Sequence, residues 1–298
     1  MDQRASNTPA IPVLHPGLDL DVAGYDRLTR DVKPLLGIDL SQYRPNQIWR
    51  RVVGFATSNG CASPDDLVAR AKTDLKLRAA FKDMLTINVS EFFRDPMVWE
   101  RFASQVVEPL VASQSTVRVW SAGCSAGYEP YTMAMLFRQA SPTVRLQIMA
   151  TDLDETILGV ARAGSYTAAQ VAGVSPARRA RFFNMTPTGY EVKSEIRALV
   201  KFAKHDLLRD PMLPAFDVIV CRNVVIYFTD AAKSKLFRGF AEALRPRGTL
   251  LIGATEAIAG ASALGLTLVS PGFYGRSAEA AGLSGRNSEV RGIHPDRY

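Results

Sequence analysis

The sequence predicts an α/β fold. A mainly parallel sheet is covered by helices on both faces, carries a small inserted antiparallel β-subdomain and follows an all-helical N-terminal domain. Three observations predict it. After residue 90, short buried runs (Val117 to Ser121, Leu146 to Thr151, Phe216 to Cys221 and Thr249 to Ala254) alternate with helical patterns, the signature of a parallel sheet built from βα units. Before residue 90, apolar residues recur at three- to four-residue spacing, as in Tyr25, Leu28, Val32 and Leu35, which is the helical period. One stretch, 182–204, breaks the alternation: Thr186-Pro187-Thr188-Gly189 is a turn between possible short strands, so a small hairpin insertion is expected there.

The elements follow in order. Residues 1–16 hold Pro9, Pro12 and Pro16 without periodicity and read as a disordered tail. The helical domain spans 17–90. Gly37 stops its first helix, Pro45 opens the next at a first-turn position, and Ser63-Pro64-Asp65-Asp66 supplies a cap, an N1 proline and acids at the positive dipole end of a third. The second domain spans 91–276. A helix over 96–113 leads to the first strand, and Glu129 to Arg138 and Thr156 to Arg162 are helical. Asp230 to Leu244 is a helix closed by Arg245-Pro246-Arg247-Gly248. Leu266–Val269 and Phe273–Arg276 make an antiparallel edge, and the polar stretch 277–298 reads as a second disordered tail.

Composition excludes several classes. No apolar run approaches the roughly 20 residues of a membrane span, and Met1 to Pro16 has no basic segment leading into an apolar core. The three cysteines, Cys61, Cys124 and Cys221, are too scattered for a disulfide framework or zinc ligands; a reducing cytoplasm and no metal are expected. The formal charge of +7 suits either a basic solvated surface or an anionic partner.

Val117 to Tyr131, V-R-V-W-S-A-G-C-S-A-G-Y-E-P-Y, is a strand, a glycine turn and a helix start. In α/β proteins such a junction brings backbone and helix N–H groups close to a nucleotide-like ligand. The turn G-C-S-A-G lacks the G-x-G-x-x-G of dinucleotide sites, and no phosphate-cradling G-x-x-x-x-G-K-[ST] occurs. An adenosine-type ligand without a long phosphate chain remains. Asp152 ends the second strand, where a carboxylate can accept from ribose hydroxyls; by itself it reads as a helix cap, and the glycine turn before it favours the ribose role. S-adenosylmethionine fits this pair of features. Arg222 and Asn223 end the Phe216 strand on the ligand side of such sheets, although singly they read as a surface charge and a turn residue. Tyr227 could belong to the site or to the core.

Four segments carry a specific resemblance: T-I-N-V-S-E-F-F-R-D (Thr86 to Asp95), S-A-G-C-S-A-G-Y-E-P-Y (Ser121 to Tyr131), A-T-D-L-D (Ala150 to Asp154) and F-D-V-I-V-C-R-N-V-V-I-Y-F (Phe216 to Phe228). In order and spacing the chain resembles the CheR-type chemotaxis receptor methyltransferases from about Tyr25 to Arg276. The resemblance implies a class I S-adenosylmethionine-dependent methyltransferase domain. It implies methyl transfer to glutamate side chains of methyl-accepting chemotaxis receptors, giving γ-methyl esters and S-adenosylhomocysteine, that is, a protein-glutamate O-methyltransferase of chemosensory adaptation. By motif position it implies cofactor contacts from Asn88, Ser90, Arg94, Glu129, Asp152, Asp206, Leu207, Arg222 and Asn223, with Arg94 and Tyr227 nearest the transferred methyl. Tyr128 replaces the first glutamate of the family loop, Ser90 a threonine and Asp206 an asparagine. The short turn at Met185–Gly189 predicts independence from the receptor C-terminal pentapeptide that some members grip.

A glutamate acceptor, with a reference pKa of about 4.3, is ionised at neutral pH and needs no general base. His15, His205 and His294 fall outside the motifs, save that His205 adjoins Asp206. Between Ser41 and Lys82, eight cations (Arg44, Arg50, Arg51, Arg70, Lys72, Lys76, Arg78, Lys82) face three acids (Asp65, Asp66, Asp74), so a positive docking face for the acidic methylation helices of a receptor's cytoplasmic domain is expected. A monomer that neither binds nucleic acid nor inserts in the membrane is expected. Two alternatives stand beside this reading. One is a non-catalytic cofactor-binding signalling relative. The other is a nucleic-acid methyltransferase, disfavoured because C-R-N-V stands where amino-group methylation of bases uses an N-P-P-Y-like segment.

Overall fold

The computed structural model describes residues 19–86 and 90–278; the tail expected over 1–16, most of that over 277–298, and Asn88 lie outside them. The chain begins with four helices, α1 (Val22–Leu36), α2 (Pro45–Ser58), α3 (Pro64–Ala71) and α4 (Leu75–Thr86). Asp21 caps α1, Gly37 ends it with φ 76°, and Ser63 accepts from the N–H of Asp66 to cap α3. Their apolar stripes meet in a core of their own around Leu28, Val32, Ile48, Val52, Leu67 and Phe81.

Next come α5 (Pro96–Phe102), a π-helical turn over Ala103–Val107, and α6 (Glu108–Ser113). Then follow β1 (Thr116–Ala122), α7 (Tyr128–Ala140), β2 (Arg145–Asp152), α8 (Glu155–Ala163), β3 (Ser165–Tyr166), α9 (Pro176–Phe182), β4 (Phe183–Thr186), β5 (Gly189–Val192), α10 (Ser194–Arg197), β6 (Val200–Lys204) and β7 (Phe216–Cys221). The chain closes with α11 (Asp230–Ala243), β8 (Leu244–Ile252), β9 (Leu266–Ser270) and β10 (Phe273–Arg276). The main sheet has seven strands in the order β6-β2-β1-β7-β8-β10-β9. Its first five run parallel, and β10 is antiparallel to both neighbours. Two apolar layers flank it, one around Phe102, Phe137 and Leu146, the other around Trp120, Phe216 and Phe240. From β1 the chain moves to β2 on one side and later to β7 on the other, so a crevice opens at the C-terminal ends of these strands.

Two boundaries differ from the sequence expectation. The hairpin expected over 182–204 occupies Phe183–Val192 and pairs with β3 in a three-stranded antiparallel sheet, whereas Val200–Lys204 joins the main sheet beside β2. Arg245-Pro246-Arg247-Gly248 is not a break between helix and strand but a bulge inside β8. The register to β7 shifts there and Arg247 takes φ 63°; the extra residues bend the strand without ending its ladder.

Candidate active site

The crevice is an open cleft at the C-terminal ends of the parallel strands. Ser90, Arg94, Glu129, Asp152, Asp206, Leu207, Arg222, Asn223 and Tyr227 all line it. Nine of the ten expected site residues therefore converge on one cleft, and the tenth, Asn88, lies outside the described residues.

The glycine turn forms one side. The N–H groups of Gly123 and Cys124 donate to the carbonyl of Thr151 at 2.8 and 2.9 Å, and that of Ser125 donates to Asp152 Oδ2 at 2.8 Å. Gly123 has φ 81°, and a Cβ there would stand 2.5 Å from a methyl of Val224, so both conformation and space require glycine. Asp152 is not the cap of α8: Asp154 accepts from the N–H of Thr156, while Asp152 Oδ1 accepts from the N–H of Asp154 at 3.0 Å. Burial raises the Asp152 carboxyl above its usual range, against these two N–H bonds.

Glu129, in the first turn of α7, faces the crevice from below. Its Oε1 accepts from Ser121 Oγ at 2.8 Å, and Arg222 Nη1 stands 4.0 Å from Oε2. Burial pushes its carboxyl up, opposed by Arg222 and by the Ser121 bond. Arg222, its side chain 3% exposed, reaches Asp95 Oδ2 at 2.6 Å, donates to the carbonyl of Arg94 at 3.3 Å and lies over the Trp99 ring. Phe93, Asp95, Ser125 and Asn223 all have positive φ, between 49° and 59°. Strained backbone of this kind persists only where surrounding contacts hold it, and it clusters at functional sites.

Asp206 Oδ1 accepts from the N–H of Leu208 and its own N–H donates to Asp210, so the segment carrying Leu207 is a fixed turn. Tyr227 is half-buried with its hydroxyl in the field of Arg51 and Arg94, while burial raises its pKa. Arg94 also faces Glu129. Arg94 thus acts electrostatically on both Glu129 and Tyr227.

Sequence reasoning missed four contributors. Tyr43 lines the cleft from the helical domain, and His205 lines it after β6; His205 is buried beside Trp120, and burial lowers its pKa. Trp99 lines the cleft as well. Glu256, after β8, accepts from the N–H of Gly253 at 2.6 Å and interacts with the backbone of Asn223, clamping the two strand ends together. A spacing signal could not have found them, because none sits in a local pattern. Tyr128 also gains an account. It is 5% exposed and packs edge-on to Phe92 at 4.9 Å and against Tyr166 at 5.1 Å. The hydroxyl of Tyr166 donates to the carbonyl of Ala126 in the glycine turn, so this aromatic cluster braces the turn from behind.

The basic face is smaller than the sequence suggests. Lys82 pairs with the buried Asp154 at 2.9 Å, Arg44 with Asp230, and Arg51, Arg70 and Arg78 donate to main-chain carbonyls. Those five cations are committed within the fold because each lies beside an acceptor of another element. Arg50, Lys72 and Lys76 are exposed. Among the described residues no cluster of metal-capable side chains occurs, and no helix is long and apolar enough to cross a membrane.

Residues 88–267 match the family model "CheR methyltransferase, SAM binding domain" and residues 23–86 match "CheR methyltransferase, all-alpha domain". A chemotaxis protein methyltransferase of Listeria monocytogenes is 38% identical over 260 residues, covering 87% of this chain and 98% of that protein. Chemotaxis protein methyltransferase 1 of Vibrio cholerae is 34% identical over 246 residues, covering 79% and 90% respectively. The protein of the same name in Pseudomonas aeruginosa is 34% identical over 234 residues, covering 74% and 85%.

Proposed function

We propose, on the premise that this chain belongs to the CheR methyltransferase family, that it esterifies glutamate side chains on the cytoplasmic domain of a chemoreceptor with the methyl group of S-adenosylmethionine. S-adenosylmethionine-dependent methylation in chemotaxis is the family's activity; the glutamate acceptor and the receptor are the proposed part. The convergence of nine motif residues on one cleft carries it.

The residues suit the cofactor's chemistry. Glu129 is a nearly buried carboxylate with only a partial counter-charge, the partner a cationic amino acid head would satisfy. Arg222 keeps a buried guanidinium N–H, at Nε, without a hydrogen bond. Asp152 holds an oriented carboxylate at the strand end for ribose hydroxyls, and the fixed turn at Asp206-Leu207 offers main-chain groups to a base. When bound, the cofactor supplies an electrophilic methyl on a sulfonium.

The protein's work is then positioning. A carboxylate acceptor arrives ionised, so no base is required, in keeping with His205 being buried and held neutral at physiological pH by burial. Arg94, half-buried at the cleft, would steer the acceptor carboxylate. The Tyr227 hydroxyl, kept protonated by burial, would donate to the acceptor oxygen that does not attack or orient the methyl. Charge is neutralised as the ester forms, so excluding water and aligning the groups supply most of the acceleration. Exposed Arg50, Lys72 and Lys76 would attract the acidic receptor helix.

The test is incubation of the protein with tritiated methyl donor and receptor-containing membranes, with nucleic acid, or with neither. Base-labile label in the receptor supports the ester reading. Label in nucleic acid, or cofactor binding without label anywhere, overturns it.

A further inference from the structure

The helical domain does more than flank the cleft. Tyr43, in the link between α1 and α2, puts its side chain into the cleft wall beside Leu207, Leu208 and Phe228. The link is locked there by backbone contacts. Tyr43 forms an antiparallel β-bridge with Phe228. On either side, the N–H of Arg44 donates to the carbonyl of Tyr227 at 2.8 Å, and the N–H of Thr229 donates to the carbonyl of Gln42 at 2.9 Å. The Tyr43 ring packs edge-on against Phe228 with centroids 5.2 Å apart, and Arg44 pairs with Asp230 at 2.9 Å. These contacts fix the ring from behind and leave its other side to the cleft.

What the ring faces is specific. The carboxylates acting on its hydroxyl most strongly are Asp206 and Asp152, the residues at the base and ribose ends of the proposed adenosyl site. Burial and these two acids keep the phenol protonated. Tyr43, Asp152 and Asp206 line the same cleft, so a neutral aromatic side chain with an O–H shares it with the two acids.

We propose that Tyr43 is a cofactor-binding residue supplied by the helical domain. On this inference, which rests on the cofactor site proposed above, the adenosyl group lies between Tyr43 and the Asp152–Asp206 side of the cleft. A consequence follows from the backbone bridge. The isolated bridge that holds Tyr43 also holds Tyr227, through the Arg44 N–H bond to its carbonyl, so seating the adenosyl group also fixes the position of Tyr227. Cofactor binding is then linked to the seating of the helical domain that carries the exposed Lys72 and Lys76.

Calorimetric titration of the full chain with S-adenosylhomocysteine, and with adenosine as a fragment, tests this. The variants are Tyr43→Ala, Tyr43→Leu, Tyr43→Phe and Asp152→Ala. Loss of an aromatic face from a base weakens binding by about tenfold or more. Tyr43→Ala and Tyr43→Leu are therefore expected to lose about that factor for both ligands, and Tyr43→Phe to lose much less. Leucine retains apolar bulk at the bridge, so a loss shared by Leu and Ala but rescued by Phe reports the aromatic contact and not packing. Unchanged affinity in Tyr43→Ala and Tyr43→Leu, with Asp152→Ala impaired, overturns the role of Tyr43 and leaves the cofactor site standing. Failure of the unaltered protein to bind S-adenosylhomocysteine overturns the site itself.

Discussion

Arg222 and Asp95 meet at 2.6 Å across the mouth of the cleft, joining the end of β7 to the segment that precedes α5. Arg222 is almost wholly buried, Asp95 half-exposed, and Asp95 sits at φ 57°. The ion pair holds strained backbone in place and leaves Nη1 of the same guanidinium turned toward Glu129. Replacing Asp95 with Ala removes a charged hydrogen bond to a buried cation, worth about 1.5–3 kcal/mol when fully desolvated and less here because Asp95 is half-exposed. Urea unfolding should show a loss of about 1–2 kcal/mol, and S-adenosylhomocysteine should bind more weakly. Unchanged affinity would detach the pair from the cofactor site.

Glu129→Gln should separate stability from binding. The folded-state pKa of Glu129 is raised above its unfolded value by burial. Its ionisation therefore disfavours the cofactor-free fold above the folded pKa, and this cost disappears as pH falls below the unfolded value. Glutamine removes the cost, so the free variant should be as stable as the parent or more so at neutral pH, while cofactor affinity collapses. In the parent, affinity should fall as pH drops through the raised pKa, above the ordinary glutamate range, and Glu129→Gln should abolish that dependence. A pH-independent affinity in the parent would count against an ionised Glu129 as the cofactor's partner.

Arg94 and Tyr227 should affect turnover unequally. Tyr227→Phe deletes one hydrogen bond, and about 1.4 kcal/mol corresponds to tenfold; kcat on receptor should fall by about that factor with little change in cofactor affinity. Arg94→Ala removes a charge facing Glu129 and Tyr227 and should lower kcat/KM by about a hundredfold. Normal turnover in both variants would exclude the two roles.

Lys82→Met tests how the helical domain is held. Asp154, with 1% of its side chain exposed, would lose its cation, and an uncompensated buried carboxylate costs several kcal/mol, about 2–4 here since it retains the Thr156 N–H bond. Denaturation should show that loss. Receptor binding should weaken less than with Lys72→Glu, because Lys82 is paired with the buried Asp154 while Lys72 is exposed. The reverse order would return Lys82 to the docking face.

Tyr128→Ala should destabilise by about 2–4 kcal/mol, as loss of a buried aromatic commonly does. It should also loosen the glycine turn, since Tyr128 packs on Tyr166 and Tyr166 bonds the Ala126 carbonyl. Calorimetric melting measures the first effect and cofactor titration the second.

What the sequence determined is what local chemistry writes into it. Period and punctuation revealed the α1–α4 block and four of the five parallel strands. The glycines of the turn, Glu129 one step inside α7 and Asp152 at the end of β2 were legible because each sits at a fixed offset from a strand end. The sheet then brings those offsets together at its C-terminal edge.

Tertiary structure decided the rest. Val200–Lys204 is a strand only because β2 offers an open edge, and a five-residue run carries no period strong enough to announce that. Lys82 and Arg51 looked like docking charges until the fold set acceptors beside them. Tyr43 and Phe228 are far apart in sequence, and only their β-bridge makes a residue of the helical link part of the cleft. Local propensity fixes which segments become helix or strand. Contacts closing such long loops depend on how the finished surfaces fit, and no short stretch of sequence contains that.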